Sequence, residues 1–177
     1  MFKHDTKKKI SIYILYGSQL GYSLSVAEHL YELIEDKVKP LKIEFQSLNE
    51  IIENDKIGEI HKDDFVIILL STTGDGEFPQ NSNKFYRFLK KYNKPLENIK
   101  YCILGFGDTN YNSYCRPAKI LDKKLLSLQA TKFIKTVCND DAIHNTNIID
   151  KWLENILDYL TDYKSKLIQW FVKSMAG

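Results

Sequence analysis

The chain has 177 residues, 44% of them hydrophobic and 12% aromatic, which excludes a disordered protein and suits one compact domain with a sizeable core. Lys and Arg number 25 against 23 Asp and Glu, a formal net charge of +2, so the average charge gives no nucleic-acid signal and only its distribution is informative. Cys102, Cys115 and Cys138 are widely spaced with no Cys-x-x-Cys pair, which argues against a disulfide framework or a zinc site and fits a reducing, cytoplasmic setting; no signal-peptide region is seen, and no apolar run approaches the about 20 residues that span a bilayer.

After a basic extension over residues 1–9, "KKISIYILYG" is rich in β-branched and aromatic residues and ends at Gly17, which predicts a buried strand followed by a turn. Val26, Leu30, Leu33 and Ile34 then recur at helical spacing. "LKIEFQSL" is a weaker strand, and the polar stretch "NEIIENDKIGEIHKDD" reads as a loop crossing the surface. "DDFVIILLSTTG" predicts a second strongly apolar strand, Phe85, Phe88 and Leu89 a helix, and "NIKYCILGFGD" a third strand of the same kind. Ile120, Leu121, Leu125 and Leu128 mark another helix, "TKFIKTVCN" a second weak strand, and Ile149, Trp152, Leu153, Ile156, Leu160 and Tyr163 a final helix. The tail "KSKLIQWFVKSMAG" keeps helical character and carries more apolar surface than a free domain end usually exposes.

Strands and helices taken in turn, with near-continuously apolar strands, predict right-handed βαβ units: an α/β fold with five parallel strands in a doubly wound sheet and helices on both faces. In such a sheet the ligand lies beyond the carboxyl ends of the strands. Three loops therefore become candidates together: "GSQLGYS", "STTGDGEFPQNS" and "GFGDTNYNSYC".

The first, Gly17 to Ser23, offers backbone N–H groups, a helix N-terminus and the side chains of Ser18, Gln19 and Ser23 to an anion such as phosphate, but holds no Lys or Arg and fits neither a P-loop nor a G-x-G-x-x-G spacing. The alternative is an ordinary strand-to-helix turn with Ser23 near the cap. The second is charged only by Asp75 and Glu77 and is ill-suited to phosphate. The third places Phe106, Tyr111 and Tyr114 where a flat ligand would stack, although Phe106 also suits packing against a helix. His4, His29, His61 and His144 fall outside all three loops, so neither a catalytic triad nor a metal site is expected. Lysines crowd residues 3–9 and the segments around Lys90, Lys123 and Lys132, whereas Asp75, Glu77 and Asp108 lie in the glycine-containing loops and Asp140 and Asp141 follow the last weak strand; this suits either partner docking or simple surface dispersion.

"YGSQLGYSLSVAEHL", "LLSTTGDGEFPQNSNKF" and "YCILGFGDTNYNSYC", in this order, resemble the FMN-binding domain of the NADPH-dependent diflavin reductases over about Ile10 to Leu157. "STTG" and "YC...AKILDKKL" are most similar to the members serving methionine synthase and cytosolic iron-sulfur assembly, with the microsomal cytochrome reductases a step further away. The resemblance implies a flavodoxin-like fold with strand order 2-1-3-4-5 over residues 10–163, with 164–177 a helix end or linker. It also implies non-covalent FMN, with FAD and NADPH held by a reductase module outside this chain, in cis or in trans, and a haem, cobalamin or iron-sulfur acceptor protein. No membrane segment or nucleic-acid partner is expected.

Carried onto these residues, the phosphate would rest on Ser18, Gln19, Leu20, Gly21, Tyr22 and Ser23, with Leu20 and Tyr22 replacing the family's usual threonines and weakening the hold. Ser71, Thr72, Thr73, Gly74, Asp75 and Gly76 would edge the flavin ring, Thr73 standing where the cytochrome reductases have a second stacking tyrosine. Tyr111 matches the remaining stacking tyrosine. Leu104, Gly105, Phe106, Gly107, Asp108, Asn110, Tyr114 and Cys115 would line the pyrimidine side, and Asp140 would stand beside the ring. Gly74 is the expected hinge, since the peptide after it rotates with the redox state in flavodoxin-like proteins. The substitutions at Leu20, Tyr22 and Thr73 keep open a second expectation, a flavodoxin-like binding or regulatory module with weak or lost FMN binding.

Overall fold

A computed structural model describes residues 10–38, 41–143 and 146–175; the basic extension, 1–9, lies outside the described residues. The elements run β1 (Ser11–Gly17), α1 (Tyr22–Lys37), β2 (Lys42–Ser47), α2 (Leu48–Glu53), β3 (Phe65–Ser71), α3 (Asn83–Lys91), β4 (Lys100–Gly107), α4 (Arg116–Ser127), β5 (Thr131–Lys132), β6 (Val137–Asp140) and α5 (Asn147–Met175). The sheet is parallel in the order β2-β1-β3-β4-β5, with β6 also pairing β4, which is the flavodoxin-like order expected from the resemblance.

Alternation along the strands builds two cores. Ile12 and Ile14 of β1, Phe65, Ile67 and Leu69 of β3, and Cys102 and Leu104 of β4 face α1 and α5, meeting Leu30, Ile34, Trp152 and Ile156. The intervening Tyr13, Leu15, Val66, Ile68, Leu70, Tyr101 and Ile103 face Leu48 and Ile51 of α2, Phe85 and Leu89 of α3, and Leu121 and Leu125 of α4. Because both faces are covered, these strands read as continuous apolar runs.

The stretch expected as a surface crossing, from Asn49, holds all of α2 but its first residue, Leu48, which with the cap Ser47 ends the segment expected as a weak strand. Ser47 caps it, accepting from the Glu50 amide while the Glu50 side chain accepts from the Ser47 amide, a reciprocal arrangement with an order-of-magnitude value of about 1 kcal/mol. Leu48 and Ile51 then enter the core, so burial of two apolar residues one helical turn apart, with the cap, sets the helix despite the polar residues that follow.

The last predicted strand is interrupted. Lys100 faces Thr131 whereas Leu104 faces Val137, so the chain between β5 and β6 carries two residues more than β4 over the same length. Asp122 of α4 holds the excursion: its carboxylate accepts from Lys132 Nζ at 2.9 Å, Thr136 Oγ1 at 2.8 Å and Tyr101 Oη at 2.9 Å. At the other end, α5 continues past Tyr163 as one helix rather than folding back. Ile168, Trp170 and Val172 are exposed there.

Candidate functional site

The three candidate loops follow β1, β3 and β4 at the carboxyl edge of the sheet, where adjacent strands β1 and β3 send their connections to opposite faces. The first loop is shaped by its own polar groups. Ser18 N donates to Asn81 Oδ1 at 2.9 Å, and Gly21 N donates to Ser18 Oγ at 3.0 Å. Among the described residues no side chain caps α1 and no carboxylate stands in its first turn, so the positive end of a 16-residue helix is open to an anionic group. Ser23 is buried: its hydroxyl donates to Gly17 O at 2.8 Å and accepts from Ser71 Oγ at 2.9 Å. The Ser23 hydroxyl proton therefore steadies the loop from below. Leu20 points outward, 97% exposed.

The second loop is closed on itself. Thr73 and Glu77 exchange backbone hydrogen bonds, and Thr73 Oγ1 also donates to Glu77 O at 3.1 Å. The turn between them carries Gly74 at φ 47° and Gly76 at φ 95°, both in the left-handed region. Gly76 is also where this loop meets the next, since a Cβ there would lie 2.5 Å from Ser113 Cβ and 2.8 Å from Arg116 Cδ. Thr72 fastens the loop to β4, its N–H and hydroxyl both donating to Phe106 O, at 3.0 and 2.8 Å.

The third loop leans on β6. Both Thr109 N and Thr109 Oγ1 donate to the Asp140 carboxylate, at 3.0 and 2.6 Å, and Ala142 N adds a bond of 3.1 Å. These donors, the Thr109 hydroxyl foremost, hold the Asp140 carboxyl below its ordinary value. Asn110 N donates to Asp108 Oδ1 at 2.7 Å, and Tyr114 Oη donates to Cys138 O at 2.9 Å. Tyr111 remains 65% exposed.

Between the loops lie two adjoining recesses. One, of about 310 Å³, is lined by Gln19, Leu20, Tyr22, Ser71, Thr73 and Phe106; the other, of about 460 Å³, by Asp75, Gly107, Asp108, Tyr111, Ser113 and Tyr114. Thr72, Gly74 and Asp141 border both. Among the described residues no Lys or Arg lines either recess, so this part of the cleft suits an uncharged flat group better than an anion. A third recess, of about 550 Å³, joins Ser18 and Gln19 to Asn81, Lys84 and Arg87. Positive charge absent from the first loop is thus brought beside it by α3.

Several sequence-predicted residues support these recesses without lining them. Leu104, Gly105 and Cys115 are buried in or under β4, and Gly21 and Gly76 shape turns. Asp140 is engaged by loop amides, and its neighbour Asp141 lines both recesses instead. Asp141, Ser113, Lys84 and Arg87 were missed. Adjacency to Asp140 was a signal for Asp141, whereas nothing local marks Lys84 or Arg87, which reach the cleft from the helix after β3. Tyr22 packs edge-on to Phe106, with ring centroids 5.2 Å apart. Burial, then the carboxylates of Asp141 and Asp150, raises its phenol above the ordinary value and keeps it a neutral donor.

A family model described as Flavodoxin matches residues 14–152, and the chain belongs to that family. Within it, the chain is homologous to the flavodoxin domain of the diflavin reductases. It is 33% identical over 152 residues to an NADPH-dependent diflavin oxidoreductase of Arabidopsis thaliana, covering 83% of this chain and 24% of that protein. It is 29% identical over 147 residues to methionine synthase reductase of Bos taurus, covering 81% and 20%. A mitochondrial NADP-dependent pyruvate dehydrogenase of Euglena gracilis is 36% identical over 132 residues, covering 73% and 7%. The chain therefore spans a quarter or less of the length of these relatives. A solved flavodoxin of Streptococcus pneumoniae shares the fold with a TM-score of 0.66 at 22% identity, covering 88% of this chain and 99% of that one.

The residues present fit FMN. Among the described residues, a helix start with no side-chain cap and with neutral donors suits a phosphate, and two adjoining recesses with no Lys or Arg but an exposed tyrosine suit the flavin ring.

Proposed function

We propose that this chain is the FMN-binding electron-transfer domain of an NADPH-dependent diflavin oxidoreductase. It takes electrons from an FAD module that binds NADPH and passes them singly to an acceptor protein carrying haem, cobalamin or an iron-sulfur centre. The observation that carries this reading is the division of the cleft: helix-terminus donors of α1 at one end, and a cation-free recess between Gly74 and Tyr111 at the other.

When bound, FMN supplies the redox chemistry, accepting and releasing electrons one or two at a time. Ser18, Gln19 and the amides at the start of α1 would hold its phosphate, with Lys84 and Arg87 close by. Tyr111 would cover one face of the ring, while Thr72 and Gly74 edge it and Tyr114 and Asp108 border the recess on the other loop. The exposed Asp75 and Glu77, beside the rim, suit a basic face on a partner protein.

The second reading, a flavodoxin-like module with weak or lost FMN binding, is favoured by Leu20, 97% exposed in the phosphate loop, and by Thr73, whose hydroxyl is engaged by Glu77 O. Titration of the purified protein with FMN separates the two. Quenched flavin fluorescence and a perturbed visible spectrum at one equivalent are expected; flavin that stays fully fluorescent and separates from the protein on a desalting column overturns the first reading.

A further inference from the structure

Under the Tyr111–Tyr114 loop two thiols from different elements meet, and the electron-transfer reading uses neither as a reactive group. Cys115 ends that loop at φ 51° and is fully buried. Its Sγ lies 3.8 Å from Asn139 O and 3.3 Å from the position a Cβ on Gly105 would occupy. Gly105 is the register partner of Cys138, and Asn139 is the next residue along β6. These contacts bracket Cys138 and place the Cys115 thiol against its position on β6. Cys138 itself is half-buried.

We propose that Cys115 and Cys138 are a redox-active dithiol, which a low-molecular-weight disulfide such as glutathione disulfide converts to an intramolecular disulfide joining the loop to β6. The environment assigns the two roles. Interaction with the neighbouring Cys115 thiol, and then the charge of Lys119, holds the Cys138 thiol below its ordinary value, while the Cys138 thiol and then burial push Cys115 up. Lys119 is fixed in place, its Nζ donating to Tyr114 O at 2.7 Å. The more accessible, more acidic thiol is the attacking group.

The Cys138 thiolate attacks one sulfur of glutathione disulfide, whose S–S bond breaks, and one glutathione leaves as thiolate and takes up a proton. Cys115 then loses its proton to solvent and attacks the Cys138 sulfur of the mixed disulfide, releasing the second glutathione. Two protein thiols are oxidised and one glutathione disulfide is reduced to two thiols. The product ties the segment bearing Tyr111 and Tyr114 covalently to the strand that already holds it through the Tyr114 Oη to Cys138 O bond of 2.9 Å.

The test is peptide mapping of the folded protein after equilibration in glutathione buffers of graded composition, with acid quenching and alkylation of free thiols. A Cys115–Cys138 cross-link that a dithiol reductant reverses is expected, with Cys102, fully buried in the sheet, remaining a free thiol. Cys115→Ser should stop at a glutathione adduct on Cys138, and Cys138→Ser should leave Cys115 unmodified. Retention of all three thiols in the wild type, a cross-link that includes Cys102, or glutathione on Cys115 of the Cys138→Ser protein overturns the proposal. Should Cys115→Ser not fold, the wild type and Cys138→Ser decide it.

Discussion

Thr73 and Glu77 hold each other across the turn Gly74-Asp75-Gly76. Thr73 N donates to Glu77 O at 3.0 Å, and Glu77 N donates to Thr73 O at 2.7 Å. The clasp forces Gly74 to φ 47°, a conformation that costs other residues of the order of 1 kcal/mol. A Cβ at Gly74 would lie 3.2 Å from Glu77 Oε2, the end of a flexible side chain, so strain and not collision is the main penalty. Gly74→Ala should therefore fold with a loss of about 1 kcal/mol by urea titration. It should also shift the one-electron potential of bound FMN in a spectroelectrochemical titration; an unshifted potential would remove Gly74 from the role of redox-linked hinge.

Gly76 fails differently. A Cβ there would stand 2.5 Å from Ser113 Cβ, so Gly76→Ala must push the second loop off the third. Added to its φ of 95°, the cost should be about 1–3 kcal/mol, larger than at Gly74. Paired urea melts of the two variants check the order.

Tyr111 is 65% exposed beside a recess of about 460 Å³, where its ring has a face to offer. Tyr111→Ala should leave thermal stability nearly unchanged and weaken FMN binding about tenfold, corresponding to about 1.4 kcal/mol of lost stacking and burial. Fluorescence titration measures it, and an unchanged affinity would place the ring elsewhere.

The Asp140 carboxyl titrates below its ordinary value of 3.8 because its charged form accepts from Thr109 and Ala142. A folded-state value below the unfolded one means that its stabilisation is present above the unfolded value and is lost as pH falls through the folded one. At neutral pH, Asp140→Asn should be less stable than the wild type. The difference should narrow as the pH is taken below 3.8. Denaturant midpoints at several pH values test this, and a gap that stays constant would mean that the loss does not come from the ionised carboxylate.

Asp75 and Glu77 are exposed at the rim of the cleft. If they meet a basic partner, the rate of electron transfer to it should fall with rising salt, because surface attraction is screened over about 10 Å at 0.1 M ionic strength. The Asp75→Asn, Glu77→Gln protein should show a slower rate at low salt and a flatter salt dependence in stopped-flow measurements. Equal slopes for the two proteins would assign docking to another face.

Local sequence determined the architecture: three apolar runs ending in glycine, helical spacing between them and three small polar loops were enough to give a doubly wound sheet and the edge on which its ligand lies. Burial on both faces makes such strands legible, because each position must be apolar whichever way it points. The loops were legible as types for a similar reason, since glycine and hydroxyl residues carry their backbone and donor chemistry with them. Tertiary structure alone decided how those residues divide the work. Ser23 and Thr73 offer the same hydroxyl chemistry as Ser18, yet one is bound to Gly17 O beneath the loop and the other to Glu77 O within a turn. Asp140 and Asp141 are neighbours of one type, but β6 ends at the first and a helical turn begins at the second, so loop amides bind Asp140 while Asp141 borders the cleft. Lys84 and Arg87 stand beside the loop after β1, and Cys115 lies against the Cys138 position, only because α3 and β6 pack where they do. Hydrogen-bond partners and charge neighbours are set by distances through space, which residue spacing along the chain does not contain.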